Sequence, residues 1–216
     1  MKVIIPSRMS SCLAEEIGWH LGDGSMNVYK GKGFYQLRGH FEDDKPHYEK
    51  RIGPFFRSLF GVSPSMRLMR GTGVYGFQVW SDELVRFKKE LGLPLGRKKD
   101  FRIPQAIHEK QEWQRAFVRG FFDTDGCLYV QDKRGKPYPR IEMGTVCEVF
   151  AEELRSVLVS LGFRPTFFRE RRDKQGWQDF WRLRMNGFEE MEKWFRDIKP
   201  MNPKFRKKKR CLVDTG

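Results

Sequence analysis

Val118-Arg119-Gly120-Phe121-Phe122-Asp123-Thr124-Asp125-Gly126 and, 102 residues earlier, Glu16-Ile17-Gly18-Trp19-His20-Leu21-Gly22-Asp23-Gly24 are the two stretches on which the reading of this chain turns. Each is an apolar helical run containing a glycine, then a small residue four positions on, then Asp-Gly. A single Asp-Gly is a common turn dipeptide. Two of them, set half a chain of 216 residues apart and preceded by the same helical pattern, mark an internal repeat.

The residues after each stretch repeat as well. Asn27–Tyr29, a glycine-bearing turn and Phe34–Arg38 read as a hairpin, and so do Leu128–Gln131, the turn Asp132–Pro137 and Tyr138–Met143. Amphipathic helices come next, Tyr48–Phe60 and Val149–Leu161, each followed by the glycine that commonly caps a last turn, Gly61 and Gly162. Strands are then expected at Arg67–Arg70 with Tyr75–Trp80 and at Thr166–Arg171 with Phe180–Met185, and closing helices at Asp82–Leu91 and Phe188–Ile198. The fold class is therefore α+β, two pseudo-symmetric αββαββα repeats with antiparallel sheets. The repeats are expected at residues 1–96 and 112–216, joined by a basic, proline-interrupted linker at 97–111.

The chain carries 42 Lys and Arg against 28 Asp and Glu, a net charge of +14. Residues 1–108 hold 18 basic and 11 acidic side chains and residues 109–216 hold 24 and 17, so each half carries +7. So even an excess of positive charge points to a polyanionic partner shared by both repeats, nucleic acid before a membrane surface. No apolar run approaches the ~18–20 residues of a membrane span. The four cysteines show no CxxC pair, and with four histidines and no HxxxH a structural zinc site is not expected. Nothing in the cysteine spacing suggests a disulfide framework, so a cytoplasmic location is expected.

Alternation along the strands separates a core face from an outward one. Gln36, Arg38 and His40 share one face of their strand, and Arg182 and Arg184 lie opposite Trp181, Leu183 and Met185. Arginine suits guanine edges, glutamine suits adenine, and either can hold phosphate. The candidate contacts of the first half are Tyr29, Lys30, Lys32, Gln36, Arg38 and His40 in the hairpin, with Arg67, Arg70 and Gln78 on the later strands. Those of the second half are Tyr129, Gln131, Lys133, Arg134 and Arg140, with Arg169, Arg171, Arg182 and Arg184.

The two aspartates close the motif helices. A helix C-terminus carries partial negative charge, so a carboxylate there is disfavoured by ~0.3–1 kcal/mol. Gly18 and Gly22, and Gly120 and Thr124, lay a shallow stripe on each helix that lets two backbones pack closely. Such packing would carry Asp23 and Asp125 to one place on a pseudo-two-fold axis. That pair makes sense with divalent cations between them, and the arrangement suits metal-assisted phosphodiester hydrolysis.

At these residues the chain resembles the LAGLIDADG homing endonucleases in their two-repeat, single-chain form. The second motif, VRGFFDTDG, matches well; the first, EIGWHLGDG, starts with Glu16 and has Leu21 where the family has its first aspartate. The resemblance implies saddle-shaped sheets astride double-stranded DNA and a monomer with internal pseudo-two-fold symmetry. It implies hydrolysis of both strands of a long target, leaving short 3′ overhangs. It also implies two or three Mg²⁺ ions shared between Asp23 and Asp125, with Gly22 and Thr124 beside them as ligands.

The family places a lysine after the later strands of each repeat. Lys98 and Lys99 occupy the matching stretch of the first half, Lys204 and Lys207 that of the second. Lys99 lies 76 residues beyond Asp23 and Lys204 lies 79 beyond Asp125, which makes these two the catalytic candidates alongside the aspartates. His40 and Glu42 lie near where the family often has a glutamine, and His20 reads as a packed residue. The chain lacks the starting Cys or Ser and the terminal His-Asn of a protein-splicing element, so an intron-encoded reading frame is expected. An RNA maturase and a non-catalytic DNA-binding regulator are the alternatives to an endonuclease. Two further patterns resolve to bland readings. Gly71-Thr72-Gly73-Val74-Tyr75-Gly76 matches a dinucleotide fingerprint but leads into a strand, not a helix. Lys204–Arg210 reads as a phosphate contact or a solvated end.

Overall fold

The computed structural model describes residues 3–69, 71–172 and 175–213. Two four-stranded antiparallel sheets have the same strand order, β1-β2-β4-β3 and β5-β6-β8-β7. The first comprises β1 (Gly24–Tyr29), β2 (Lys32–His40), β3 (Arg67–Met69) and β4 (Val74–Trp80); the second β5 (Cys127–Asp132), β6 (Pro137–Thr145), β7 (Thr166–Glu170) and β8 (Phe180–Asn186). The helices are α1 (Ser11–Leu21), α2 (Phe41–His47), α3 (Gly53–Phe60), α4 (Asp82–Glu90), α5 (Gln111–Asp125), α6 (Glu148–Ser160), α7 (Gly187–Asp197) and α8 (Pro203–Val213). The expected αββαββα order is present in both halves. Among the described residues no helix is long and apolar enough to cross a membrane.

Alternation sorts each strand between a core and an open face. On β2, Tyr35 and Leu37 are fully buried while Gln36 and Arg38 are only partly so. Tyr35 and Leu37 pack with Phe77 from β4 and with Phe56 and Phe60 from α3. Beneath the second sheet Ile141, Met143, Leu183 and Met185 meet the helices through Phe150 and Trp194. The αL backbone at Gly61 (φ 69°) and Gly162 (φ 81°) ends α3 and α6, as a residue without Cβ permits.

Two expectations are corrected. The helix expected at Tyr48–Phe60 begins earlier: α2 runs through Pro46 into a π-helical turn, Tyr48–Ile52, which feeds α3. Proline lacks the N–H for an i→i−4 bond, and the wider turn lies immediately beyond it. The solvated end expected at Lys204–Arg210 is helical: it lies in α8, anchored by Phe205, whose ring stacks on Phe122 at 4.3 Å, while Arg206, Lys207, Lys208 and Arg210 are exposed.

The molecule is organised about the crossing of α1 and α5. A Cβ added at Gly18 would lie 2.3 Å from the Phe117 carbonyl oxygen, and one at Gly120 2.1 Å from that of Glu15. The backbones are therefore in direct contact, as the small-residue stripes predict. Glu15, 1% exposed, accepts a hydrogen bond across this seam from Arg119 (Nη2, 2.7 Å) and one within its own repeat from Arg51 (Nη2, 2.9 Å). Replacing Gly120 by alanine is expected to force the helices apart at a cost of ~1–3 kcal/mol or more. A urea titration with a stability within error of the wild type would refute that geometry.

Candidate functional site

Each motif helix hands its aspartate to the same place. The Gly22 N–H donates to the Gly18 carbonyl (3.0 Å) and the Gly126 N–H to that of Phe122 (2.9 Å), closing the last turns beside Asp23 and Asp125. A Cβ on Gly22 would lie 2.0 Å from Thr124 Oγ1 and 3.5 Å from Asp125 Cγ, so the two helix ends touch at the carboxylates. Strand β2 passes over Asp23 at Gly39. A Cβ there would sit 2.9 Å from Asp23 Oδ2 and 2.9 Å from Asp44 Oδ2, a space only glycine leaves free.

Burial lifts the Asp23 carboxyl to about 8, helped by the charges of Asp125 and Asp44 and opposed by a hydrogen bond from Tyr48 Oη (3.1 Å). Burial lifts Asp125 to about 6, opposed by Lys98 and Lys204. The Lys98 ammonium is pushed down to about 8 by burial, against the pull of Asp125 and Asp23. Its Nζ donates to the Leu21 carbonyl (2.9 Å) and to that of Gly22, at the negative end of α1.

The second lysine arrives by a longer chain of contacts. Asp123, fully buried, accepts the backbone N–H groups of Met201 (2.9 Å) and Asn202 (3.1 Å), which fixes the turn into α8. Asn202 Nδ2 donates to the Asp123 carbonyl (2.9 Å) and to Asp44 Oδ1 (2.8 Å). Lys204 Nζ lies 2.8 Å from the same Asp44 oxygen. The two lysines are thus held differently, one on carbonyls and the other on a carboxylate.

Several sequence expectations change here. Lys99 does not reach the aspartates: it is exposed and lines a separate cleft with Asp100, Arg169 and Trp181, while its neighbour Lys98 turns inward. Gly22 and Thr124 stand beside the aspartates: the Gly22 carbonyl accepts from Lys98, and the Thr124 hydroxyl donates back to the Gly120 and Phe121 carbonyls. Asp44 joins the site without having been expected there. Its only signal in the sequence is the run Glu42-Asp43-Asp44, in which tertiary contacts alone single out the buried third member. His20 is a packed ring, stacked on Tyr35 at 5.3 Å and held neutral by burial.

The open sheet faces adjoin this centre. A cleft of about 340 Å³ is lined by Lys98 and Asp125 together with Gly144 and Phe180 from the second sheet. In the first sheet Gln36 is paired in register with Gln78 and Arg38 with Gly76, and Gly76 with Arg67. Arg38 and Arg67 therefore flank a glycine, and the Arg38 guanidinium is pushed down by burial and by Arg67. Tyr29, Lys30 and Lys32 are exposed at the hairpin tip, with His40 exposed at the other end of β2; Arg70 lies outside the described residues.

In the second sheet Gln131, Lys133 and Arg134 are exposed around the hairpin, and Arg140 donates to Gln131 Oε1 (2.7 Å) and to Asn186. Arg182, Arg184 and Tyr129 share the open face but converge on Glu142. Arg169 does not belong to this face. Its register partner is Trp181, the strand's other side, and it pairs with Asp179. Arg171 is exposed just past the end of β7.

Residues 112–199 match the family profile of the LAGLIDADG-like domain. The C-terminal repeat is a LAGLIDADG-like domain. The whole chain has the LAGLIDADG meganuclease fold. It superposes on the homing endonuclease I-DmoI in complex with DNA and Mn with a TM-score of 0.60 at 19% identity, covering 87% of this chain and 96% of that one. For a variant of I-SmaMI the values are 0.57 and 12%, with 92% of this chain and 87% of that one covered. For the LAGLIDADG meganuclease I-AabMI bound to uncleaved DNA they are 0.54 and 12%, with the same coverage. In this fold α1 and α5 cross at the centre, with Asp23 two residues beyond the end of α1 and Asp125 the last residue of α5.

Among the described residues no three His, Cys, Asp or Glu side chains converge as a ready-made metal cage. The carboxylates of Asp23, half-buried, and Asp125, open to the cleft, both shifted upward and each repelled by acidic neighbours, still form a donor set that a hard divalent cation would neutralise. Such ions complete their shell with water and phosphate oxygens.

Proposed function

We propose that this chain is a site-specific endonuclease that hydrolyses both strands of a long double-stranded DNA target, using Mg²⁺ or a similar ion, and leaves short 3′ overhangs. The observation that carries the reading is the pair Asp23 and Asp125, one half-buried and the other open to a cleft, brought together at the junction of two basic sheet faces. Two opposed carboxylates at helix C-termini weaken the apo-protein, and neither an RNA-splicing cofactor nor a non-catalytic regulator would need them.

Asp23 and Asp125 would hold the divalent cation, which supplies Lewis acidity and charge neutralisation at the scissile phosphate. The protein's own groups do the rest. Tyr48 orients the Asp23 carboxylate. Lys98, titrating near 8, can hold or release a proton beside the reacting phosphate. Lys204, fixed by Asp44, presents a positive charge from the other repeat. Gln36, Arg38, Arg67 and Gln78 in one half and Arg140, Arg182 and Arg184 in the other would meet the duplex, one polypeptide serving both half-sites as a monomer.

A plasmid carrying the uninterrupted host locus should become linear on incubation with the protein and Mg²⁺. If it stays supercoiled while splicing of the interrupting intron is stimulated, the maturase reading replaces this one. Lys98→Met is expected to slow cleavage by ~10²–10⁴, the usual contribution of a general acid or base. Lys99→Met should cut within a fewfold of wild type. The reverse ranking in single-turnover assays would return the role to Lys99.

A further inference from the structure

The strand registers equate positions in the two sheets and expose a difference between them. Ser25–Gln36–Gln78 in the first sheet corresponds to Cys127–Glu142–Arg184 in the second, and Arg38–Gly76–Arg67 to Gly144–Arg182–Phe168. A neutral glutamine pair at the centre of one face is therefore replaced by a carboxylate and an arginine at the centre of the other.

Glu142 is only 7% exposed, which is unusual for a carboxylate on an open sheet face. Arg184 approaches it side-on, with Nε 2.7 Å and Nη2 2.6 Å from Oε2. The guanidinium also lies over the Phe168 ring, 4.8 Å from its centroid. Tyr129 Oη donates to the same oxygen at 3.2 Å, and Arg182 bridges Oε1 and Glu170. Glu142 is too enclosed and too fully engaged to act as a reader of DNA. What it does is fix the plane of Arg184. A guanidinium has two edges capable of paired donation, and the side edge is spent on Glu142. The end edge, Nη1 with the second Nη2 hydrogen, is left with the geometry that matches guanine O6 and N7.

We propose that Glu142 is a specificity-determining positioning residue: it holds Arg184 by one edge so that the other reads a guanine in the half of the duplex beneath the second sheet. By neutralising Arg182 and Arg184 it also withholds them from indiscriminate phosphate contact. The first half, with Arg38 and Arg67 flanking Gly76, has no such carboxylate at the corresponding position and grips more by charge. The inference rests on the DNA-reading function proposed above.

The experiment is selection of bound duplexes from a randomised DNA pool by the full chain, with Ca²⁺ replacing Mg²⁺ to prevent cutting. Wild type should recover a long sequence with a guanine strongly preferred in one half, close to its centre. Recovery of no sequence overturns the DNA-reading function and the inference with it. A sequence without that guanine overturns the inference alone. Glu142→Gln is expected to cut the preference roughly tenfold or more, the discrimination of one paired arginine contact, while the opposite half stays unchanged. It should also steepen the fall of log affinity with log salt by about one phosphate's worth, as an arginine is released to the backbone. An unchanged guanine preference refutes the role of Glu142. If thermal melting shows that Glu142→Gln does not fold, Arg184→Lys decides. It keeps the charge and loses the edge, so retained guanine preference overturns the proposal and its loss with an unchanged salt slope supports it.

Discussion

Asp125→Asn is expected to abolish double-strand cleavage, by ~10³-fold or more, and at the same time to make the metal-free protein more stable. The loss follows from removing one of two carboxylates that would hold the cation. A bound metal contributes several kcal/mol of transition-state stabilisation, and each ~1.4 kcal/mol is tenfold in rate. The gain follows from linkage. Asp23 and Asp125 sit near 8 and 6 in the folded state because burial and acidic neighbours oppose their charge. In the unfolded chain they titrate near ~4. Between those limits the folded state binds more protons than the unfolded one, so without cations stability falls as pH rises from about 4 to 8. An amide at 125 removes one of the charges responsible, which should raise the melting temperature at pH 8 by ~2–4 °C for each kcal/mol recovered in a chain of this length.

Mg²⁺ should reverse the wild-type trend. The ion binds the deprotonated pair, so its affinity and its stabilising effect should grow between pH 6 and pH 8, and Asp125→Asn should lose both. Melting curves at the two pH values, with and without Mg²⁺, read all four quantities. A variant that cuts like wild type, or that melts lower at pH 8 without metal, would refute the carboxylate pair as described. DNA affinity in Ca²⁺-free buffer should remain close to that of wild type, because the basic sheet faces are untouched.

Lys88→Met is expected to destabilise the fold by ~3–5 kcal/mol, against a total of ~5–15 kcal/mol for an ordinary domain. Lys88 and Glu16 are both wholly inaccessible to solvent, and Nζ lies 2.6 Å from each carboxylate oxygen. Lys88 also stands over the Tyr35 ring, 4.3 Å from its centroid. Burial lowers the Lys88 ammonium while Glu16 supports it, so the charge survives only through its partner. Removing the lysine strands an ionised or forcibly protonated glutamate within the core of the first repeat. The pair as a whole need not be stabilising, since desolvating two ions costs about as much as their attraction returns. The double variant Glu16→Leu with Lys88→Met is accordingly expected to recover most of the loss, to within ~1 kcal/mol of wild type or beyond it. Urea titrations of the two single variants and the double give the coupling directly. Additive losses would mean that the two charges do not depend on each other.

Glu16 illustrates how far local pattern reaches. At the head of the first motif it is legible as a departure from the second, but its partner lies 72 residues away on α4 and no spacing rule connects them. Asp44 is similar. The sequence shows three acidic residues opening a helix, and only the meeting with Asn202 and Lys204, near the other end of the chain, buries one of them. Lys98 and Lys99 are neighbours in an irregular stretch with no periodicity to choose between them. The choice is made by the carbonyls exposed at the end of α1. Charge and strand membership assign Arg169 to the DNA face, whereas its register opposite Trp181 puts it on the other one.

The sequence by itself determined the repeated α+β order, the glycine-stripe contact of the motif helices and the pair Asp23 and Asp125. These depend on period-two and helical spacing, on small residues where backbones touch, and on similar motifs that must occupy equivalent places about a pseudo-two-fold axis. The tertiary structure alone decided which lysine faces the carboxylates, that Asp44 stands beside them, and that Glu142 engages the arginines of one sheet but not the other. Those outcomes are set by desolvation and charge pairing between segments remote in the chain, and such energies exist only once the segments meet.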